Sequence, residues 1–339
     1  MAATLHDVAN LAGVSIKTVS NVVNDYPHIR PETRQRVQAA IDELGYQPNL
    51  SARSLRSGRS GVIGLVLPEL SLSYFAELAD AVIANAEKQG MVVQIEQTGA
   101  DRDREIAVLT SPRMRLTDGL IFSPLGMGQE DVGHLDVDYP MVLLGERIFG
   151  GPVDHVTMRN VEAAEAATRF LIDSGRRRIA VIGAHEGEVV GSAALRLRGY
   201  RDALEAAGIP YDPALVSHTT LWHRANGAAS MRELIDGGVP FDAVFGLNDA
   251  LTLGALRVLQ EKGIRVPGDV AVMGFDNIDE AQYTVPSLST IDPGRERIAE
   301  RAVSLLVQRI RENDTRPRDP QQILVDFSVV PRESAPAGA

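Results

Sequence analysis

The chain has 339 residues, 44% of them apolar and 23% charged. That composition excludes wholesale disorder and coiled coil, and the length is more than one ordinary domain needs. Cysteine is absent, which rules out disulfide scaffolds, thiolate metal sites and cysteine nucleophiles. No apolar run approaches the roughly 18 residues that span a bilayer. The opening residues, Met1 to Asp7, lack a basic stretch followed by an apolar core, so a cytoplasmic chain is expected. The net charge of -11 conceals an asymmetry. Residues 1–60 hold seven Lys or Arg against five Asp or Glu, and the remainder 27 against 40. A small basic head on an acidic body suits an anionic partner at one end.

Thr4-Leu-His-Asp7 is a capping-box pattern that starts a short helix ending at Ala12-Gly13. Val8 and Leu11 form its apolar face, with Leu5 before them. Ser15 caps a second helix with Val19, Val22 and Val23 as its stripe. Pro31 starts a third, with Val37, Ile41 and Leu44 on one face and Gly45 past its end. Two helices joined around Gly13 read as a helix-turn-helix, and three can pack one small core. The outer face of the second helix carries Ile16, Lys17 and Asn21, with Ser15, Thr18 and Asn24 alongside. Short donors suit phosphates, and the outward side chains suit base edges in a major groove.

The stretch Thr4-Leu-His-Asp-Val-Ala-Asn-Leu-Ala-Gly-Val-Ser-Ile-Lys-Thr-Val-Ser-Asn-Val-Val-Asn24 resembles the head of the lactose repressor (LacI/GalR) family of bacterial transcription regulators. So do Thr33-Arg-Gln-Arg-Val37, Leu44-Gly-Tyr-Gln-Pro-Asn49, Ala52-Arg-Ser-Leu-Arg56 and Val62-Ile-Gly-Leu-Val66. The resemblance implies that Ile16, Lys17 and Asn21 read bases. It places Thr4, Ser15, Thr18, Asn24 and His28 near the DNA backbone or the base edges. Residues 48–60 then take the place of a hinge helix and linker, with Asn49 and Ala52 on it. Leu55 falls where the family inserts a leucine into the minor groove, followed by the basic Arg56. Asn49 to Ser57 is too short for a helix stable alone in water, since about 12–15 residues are needed. Such a segment folds when DNA and a second hinge helix bury it, and paired apolar wedges then unstack a base step.

From Val62 short apolar runs alternate with helical stretches. Strands are expected at Val62–Leu67, Met91–Ile95, Gly119–Phe122, Met141–Leu144 and His155–Met158, with helices at Phe75–Gln89 and Glu105–Arg115. The pattern then repeats. Helices are expected at Val161–Ser174, Arg196–Ala207, Ala225–Ile235, Ala250–Glu261 and Arg295–Arg311. Strands are expected at Ile179–Ile182, Leu215–His218, Ala243–Phe245, Val270–Met273 and, closing the chain, Ile323–Val329. This alternation predicts an α/β body of two doubly wound parallel-sheet subdomains, of the periplasmic-binding-protein type that the resemblance implies. The expected division is a helix-turn-helix domain over 1–47, the hinge over 48–60 and an effector and dimerisation domain over 61–339. Within the last, one subdomain takes about 61–160 and 291–322, the other about 161–290 and 323–339.

Ligands of such sheets bind beyond the carboxyl ends of the strands. The residues that follow the strands include Tyr74, Phe75, Ser123, Gly145-Glu146-Arg147, Arg196, Trp222, Asn248-Asp249 and Phe275-Asp276. Aromatic walls with Arg, Asp, Asn and Glu suit a sugar, whose hydroxyls take bidentate bonds and whose C–H faces stack on rings. Singly, each residue has a plainer role open to it. Trp222 can be core, Phe75 can face the sheet, Arg196 can pair on the surface with Glu188 or Glu205, and Asn248 can cap the next helix. The family resemblance implies effector contacts for Arg196 and Asp276, fits Phe75, Trp222 and Asn248-Asp249, and carries over to Glu146 although Gly145 departs from a polar residue found in some members. Tyr74 and Ser123 rest on their place after the strands.

Phosphate-loop, nucleophile-elbow, His-Glu-x-x-His and calcium-loop motifs are missing, so neither an enzyme nor a metal or other cofactor is expected. The leading expectation is a repressor of sugar-use genes that binds a pseudo-palindromic operator as a homodimer and is relieved by a sugar-like effector. A purine or nucleoside corepressor is the alternative. A non-regulatory sugar-binding protein would share the body but not the basic head. Beyond Pro331 the tail has no leucine heptads, so a dimer is the expected limit of assembly.

Overall fold

The computed structural model describes residues 3–23, 26–46, 59–313, 315 and 319–336. The chain divides into two compact units, residues 1–60 and 61–339.

The first unit holds α1 (Leu5–Ala12), α2 (Ile16–Val23) and α3 (Pro31–Leu44). Thr4 and Asp7 form the reciprocal capping box, each satisfying the other's backbone N–H. Gly13 ends α1 at φ 64°, a left-handed conformation that a Cβ would penalise, and this tight stop lets α2 start three residues later. Ser15 Oγ accepts from the Thr18 N–H at 3.1 Å and caps α2. The core is Val8, Ala9, Ala12, Val19, Val22, Val37, Ala40 and Tyr46. Leu11 and Leu44, expected in it, are exposed. Alanines take their places because they allow the short helices to approach closely.

Among the described residues the second unit contains three sheets. The largest pairs six strands in parallel, in the order β11-β5-β4-β3-β1-β2. These are β1 (Val62–Leu67), β2 (Val92–Gln97), β3 (Gly119–Phe122), β4 (Met141–Leu144), β5 (Asp154–Met158) and β11 (Gln322–Val325). Its inner strands β1, β3 and β4 are apolar on both sides because both faces are covered. Ile63, Leu65 and Leu67 pack with Leu78 and Val82 of α4 (Ser73–Lys88) and Ile298, Ala302 and Leu306 of α10 (Arg295–Glu312). Val66, Leu120 and Phe122 point the other way, into a core with Val108, Leu109 and Met127.

The second parallel sheet runs β7-β6-β8-β9, from β6 (Ile179–Ala184), β7 (Val216–His218), β8 (Ala243–Gly246) and β9 (Ala271–Met273). One face is covered by α6 (Asn160–Asp173) and α7 (Ser192–Ala206), the other by α8 (Arg224–Asp236) and α9 (Asp249–Glu261). The expected helix Glu105–Arg115 is instead α5 (Arg102–Leu109), capped by Asp101, followed by a 3-10 turn at Met114–Leu116. The closing strand expected over Ile323–Val329 is two strands. Gln322–Val325 joins the six-stranded sheet, and β12 (Ser328–Val330) pairs antiparallel with β10 (Thr290–Asp292), a strand the sequence did not suggest. Pairing in the first lobe thus continues three residues past the boundary drawn at 322.

Helices α8 and α9 pack backbone to backbone. A Cβ on Gly254 would lie 1.9 Å from Arg224 O, and one on Gly227 2.0 Å from Leu251 O. Gly254→Ala gains helix propensity of about 1 kcal/mol but forces the helices apart, for an expected net loss of about 1–2 kcal/mol. Urea unfolding checks this: an unchanged midpoint would show that the helix pair yields without cost.

Candidate functional site

A cavity of about 370 Å³ lies between the carboxyl ends of the two parallel sheets. Its lining follows the strands: Tyr74 and Phe75 after β1, Ser123 after β3, Glu146 after β4, Trp222 after β7, Asn248 after β8 and Asp276 after β9. Arg196 enters from α7. Gly145 and Arg147 line it as well, whereas Asp249 and Phe275, also named among the strand-end residues, are buried and do not.

Arg196 is buried, not on the surface. Its guanidinium lies 3.6 Å from the Phe275 ring centroid and 5.2 Å from that of Trp222. It donates to Asn160 Oδ1 at 2.8 Å and to Leu247 O, and Nη1 faces Asp276 Oδ1 at 3.5 Å. Asn248 caps α9 through the Leu251 N–H, donates to Trp222 O at 3.2 Å and lines the cavity, so capping and lining coexist. The Trp222 indole is fixed by a 2.8 Å bond to Gly183 O. Glu146 accepts from Thr157 at 3.0 Å and from Ser192 of the other lobe at 2.6 Å.

Asp276 has φ 116°, in the region that favours glycine. Its N–H donates to Ile291 O and its carbonyl accepts from Arg295, which holds this backbone in place. Burial pushes its carboxyl up from 3.8 to about 7 against the pull of Arg196 and Arg295, with Glu146 and Glu77 adding to the rise. Burial and the adjacent Asp276 charge also raise Asp249 well above its usual range. Between the unfolded and folded values of Asp276 the folded state holds a proton that the unfolded state has released, so this group costs stability as pH rises. Relative to wild type, Asp276→Asn is expected to gain about 1.4 kcal/mol of stability per pH unit between pH 5 and 6. Chemical unfolding of both proteins at several pH values measures this, and a constant difference would place Asp276 among ordinary carboxylates.

The cleft also holds residues that the sequence reading does not place there, namely Glu69, His185, Glu188, Ser192 and His223. Several bridge the lobes. His223 Nε2 and Glu69 pair at 2.9 Å, Arg147 faces Glu188 at 3.4 Å, and Ser73 donates to Glu280 at 2.6 Å. His185 and Glu188 follow β6, so the strand-end rule applied to them too. Glu188, a possible surface partner of Arg196 by sequence, instead lines the cavity.

In the head, Ile16 and Lys17 are exposed at the start of α2, and Asn21 is half-buried one turn on from Lys17. Ser15 and Thr18 hydroxyls bond each other at 2.8 Å. Thr4 is exposed at its cap, and His28 is exposed with its ring edge-on to Tyr26 at 5.5 Å. Asn24, Asn49, Ala52, Leu55 and Arg56, and with them the expected hinge helix, lie outside the described residues. Among the described residues no group of three or more His, Asp or Glu is placed to hold a metal ion. No helix among them is long and apolar enough to cross a membrane.

Residues 4–49 match the family of bacterial regulatory proteins, lacI family, and residues 168–335 match a periplasmic binding protein-like domain. The chain is 36% identical to the HTH-type transcriptional regulator CelR of Thermobifida fusca, over 98% of each protein. The chain belongs to the LacI family of bacterial transcription regulators. It is 31% identical to the HTH-type transcriptional repressor PurR of Vibrio atlanticus, over 92% of this chain and 93% of that protein. The solved structures that resemble the chain include three. A chain described as a LacI-family regulator from Sanguibacter keddieii is 51% identical over 82% of this chain and 99% of its own, with a TM-score of 0.76. A CelR–cellobiose complex is 33% identical over 98% and 99%, with a TM-score of 0.71. The lac repressor dimer bound to operator and the anti-inducer ONPF is 27% identical over 99% and 100%, with a TM-score of 0.81.

Proposed function

We propose that this LacI-family member is a cytoplasmic, non-catalytic repressor that binds a pseudo-palindromic operator as a homodimer and is released by a small sugar bound in the cleft. The observation that carries the sugar reading is the buried cluster of Arg196, Asp276 and Asn248 set against Trp222 and Phe75. Carboxylate and amide take hydroxyls, the indole and phenyl faces take C–H surfaces, and both lobes contribute. The CelR relatives, one of them solved with cellobiose, support it. A ligand touching both lobes favours one lobe arrangement, which alters how two heads present their α2 helices to DNA.

The test is selection of preferred duplexes from a random pool, followed by titration with and without a sugar panel. Specific binding should weaken linearly on a log–log plot against salt. One sugar should lower DNA affinity by about 5–150-fold, the range of ordinary allosteric coupling. A purine corepressor is the second reading, supported by the likeness to PurR repressors. It predicts the opposite sign, tighter DNA binding with hypoxanthine or adenosine. Absence of any salt-dependent duplex binding would refute both.

A further inference from the structure

We propose that Asp249, which does not itself line the cavity, is a positioning residue for effector binding: it clamps the turn 275–278 and so sets where Asp276, Ile278 and Arg196 meet the ligand. This rests on the reading of the cleft as a ligand site.

The turn has a backbone that its own residues do not favour. Asp276 and Asn277, two successive residues with a Cβ, have φ 116° and φ 50°. Such conformations persist only where the surroundings over-determine them. Asp249 holds both ends. Its N–H donates to Phe275 O at 2.7 Å, and its Oδ2 accepts from the Ile278 N–H at 3.0 Å. Its Oδ1 accepts from the Thr290 hydroxyl at 2.7 Å, and that hydroxyl oxygen accepts from the Asn277 N–H at 3.4 Å. One residue thus ties the turn to α9 and to β10. The fit also constrains its neighbour, because a Cβ on Gly274 would lie 2.0 Å from Asp249 Oδ1. Arg295 and Arg332 brace Asp276 O and the Asn277 side chain, which keeps some of the turn's bonds when Asp249 is changed.

The turn carries three parts of the site. Asp276 and Ile278 line the cavity, and the buried Phe275 ring supports the Arg196 guanidinium at 3.6 Å. Loosening the turn displaces a carboxylate, an apolar wall and the seat of a guanidinium together. Neighbours divide the work: Asn248 lines the cavity, while Asp249, wholly buried behind it, holds the turn. Burial and the Asp276 charge raise the Asp249 carboxyl and favour its neutral form. A neutral carboxyl shares its shape and its donor and acceptor pattern with a primary amide. Asparagine can therefore stand in, its oxygen taking the Ile278 N–H and its amide donating to the Thr290 hydroxyl. Leucine, of similar size, can do neither.

Two measurements on the full-length protein test this, on wild type, Asp249→Asn, Asp249→Leu, Asp249→Ser and Gly254→Ala. Asp249→Ser keeps the test open if apolar bulk disrupts folding, and Gly254→Ala is a stability control away from the turn. The first measurement is amide hydrogen exchange without ligand. Exchange across 275–278 should quicken about tenfold or more in Asp249→Leu and Asp249→Ser and stay within about threefold of wild type in the other two. The second is calorimetric titration with glucose, galactose, cellobiose, ribose and adenosine. For a probe that wild type binds, Asp249→Leu and Asp249→Ser should weaken binding about 30-fold or more, as for a misplaced charged contact. Asp249→Asn should stay within about threefold, and Gly254→Ala within about twofold despite its lower melting temperature. A loss that follows melting temperature across all variants, or Asp249→Asn no better than Asp249→Leu, overturns the proposal and leaves the sugar reading intact. Binding of adenosine and no sugar overturns the sugar reading, and the same comparison made with adenosine then decides the role of Asp249. No binding by any probe also overturns the sugar reading. Unchanged exchange across 275–278 in Asp249→Leu and Asp249→Ser overturns the role of Asp249, whatever binds.

Discussion

Asp276→Ala is expected to raise the ligand concentration needed for half-maximal release from DNA by about 100-fold or more. A hydrogen bond to a charged group is worth about 1.5–3 kcal/mol, and a carboxylate that takes two hydroxyls loses both on truncation. The Asp276 carboxylate is well suited to this test. It faces Arg196 only at 3.5 Å, while its backbone, through bonds to Ile291 and Arg295, holds the local turn. Truncation therefore removes a ligand partner without removing the main-chain bonds. Burial pushes this carboxyl up to about 7, so its charge costs the folded state stability, and loss of response cannot be blamed on a missing stabilising charge. Arg196→Ala should lose the response too, but it deletes bonds to Asn160 and Leu247 and the contact with Phe275, so stability falls with it. The measurement is a DNA titration of each variant over a range of ligand concentrations, with melting temperatures alongside. An Asp276→Ala protein that responds at the wild-type concentration removes this residue from the binding site.

Much of this cleft is legible in the sequence because its residues follow strands, and the strands are continuous apolar runs. Val62–Leu67, Gly119–Phe122 and Met141–Leu144 match the structure residue for residue for that reason. What fails is whatever depends on small residues or on lobe geometry. Helix α7 begins at Ser192, four residues earlier than expected, because Ser192 to Leu195 carry no strong periodic signal and Gly191 before them reads as loop. In the head, periodicity favours Leu11 and Leu44 over the alanines that pack the helices. The closing strand divides at Asp326 and Phe327, where Asp326 turns out to pair with Arg159 and the chain changes sheet. Glu69 and His223 stand 154 positions apart, and nothing local to either announces the other. Pairs of that kind form only once two sheets face each other, and they shape the mouth of the cleft rather than its floor.

Lys17→Ala and Asn21→Ala are each expected to change the preferred half-site at one base position, with a loss of about 1–3 kcal/mol on the original sequence. Val19 and Val22 bury one side of α2 in the head core, which fixes the helix about its axis. Lys17 and Asn21, four apart, then share another face, and Ile16 beside them is 41% exposed. An isoleucine left in water at the start of a capped helix suits contact with a thymine methyl. The Ser15 and Thr18 hydroxyls act differently. They bond each other, and Ser15 caps the helix, so Ser15→Ala costs about 1 kcal/mol of folding in addition to any contact with phosphate. Thr18→Ala should weaken every duplex alike and leave the preferred sequence unchanged. Selection from a random pool with each variant separates these outcomes, because base readers change the selected sequence and backbone contacts change only its affinity. If Lys17→Ala and Asn21→Ala both select the wild-type sequence, neither residue reads a base, and the recognition surface must lie elsewhere on the head.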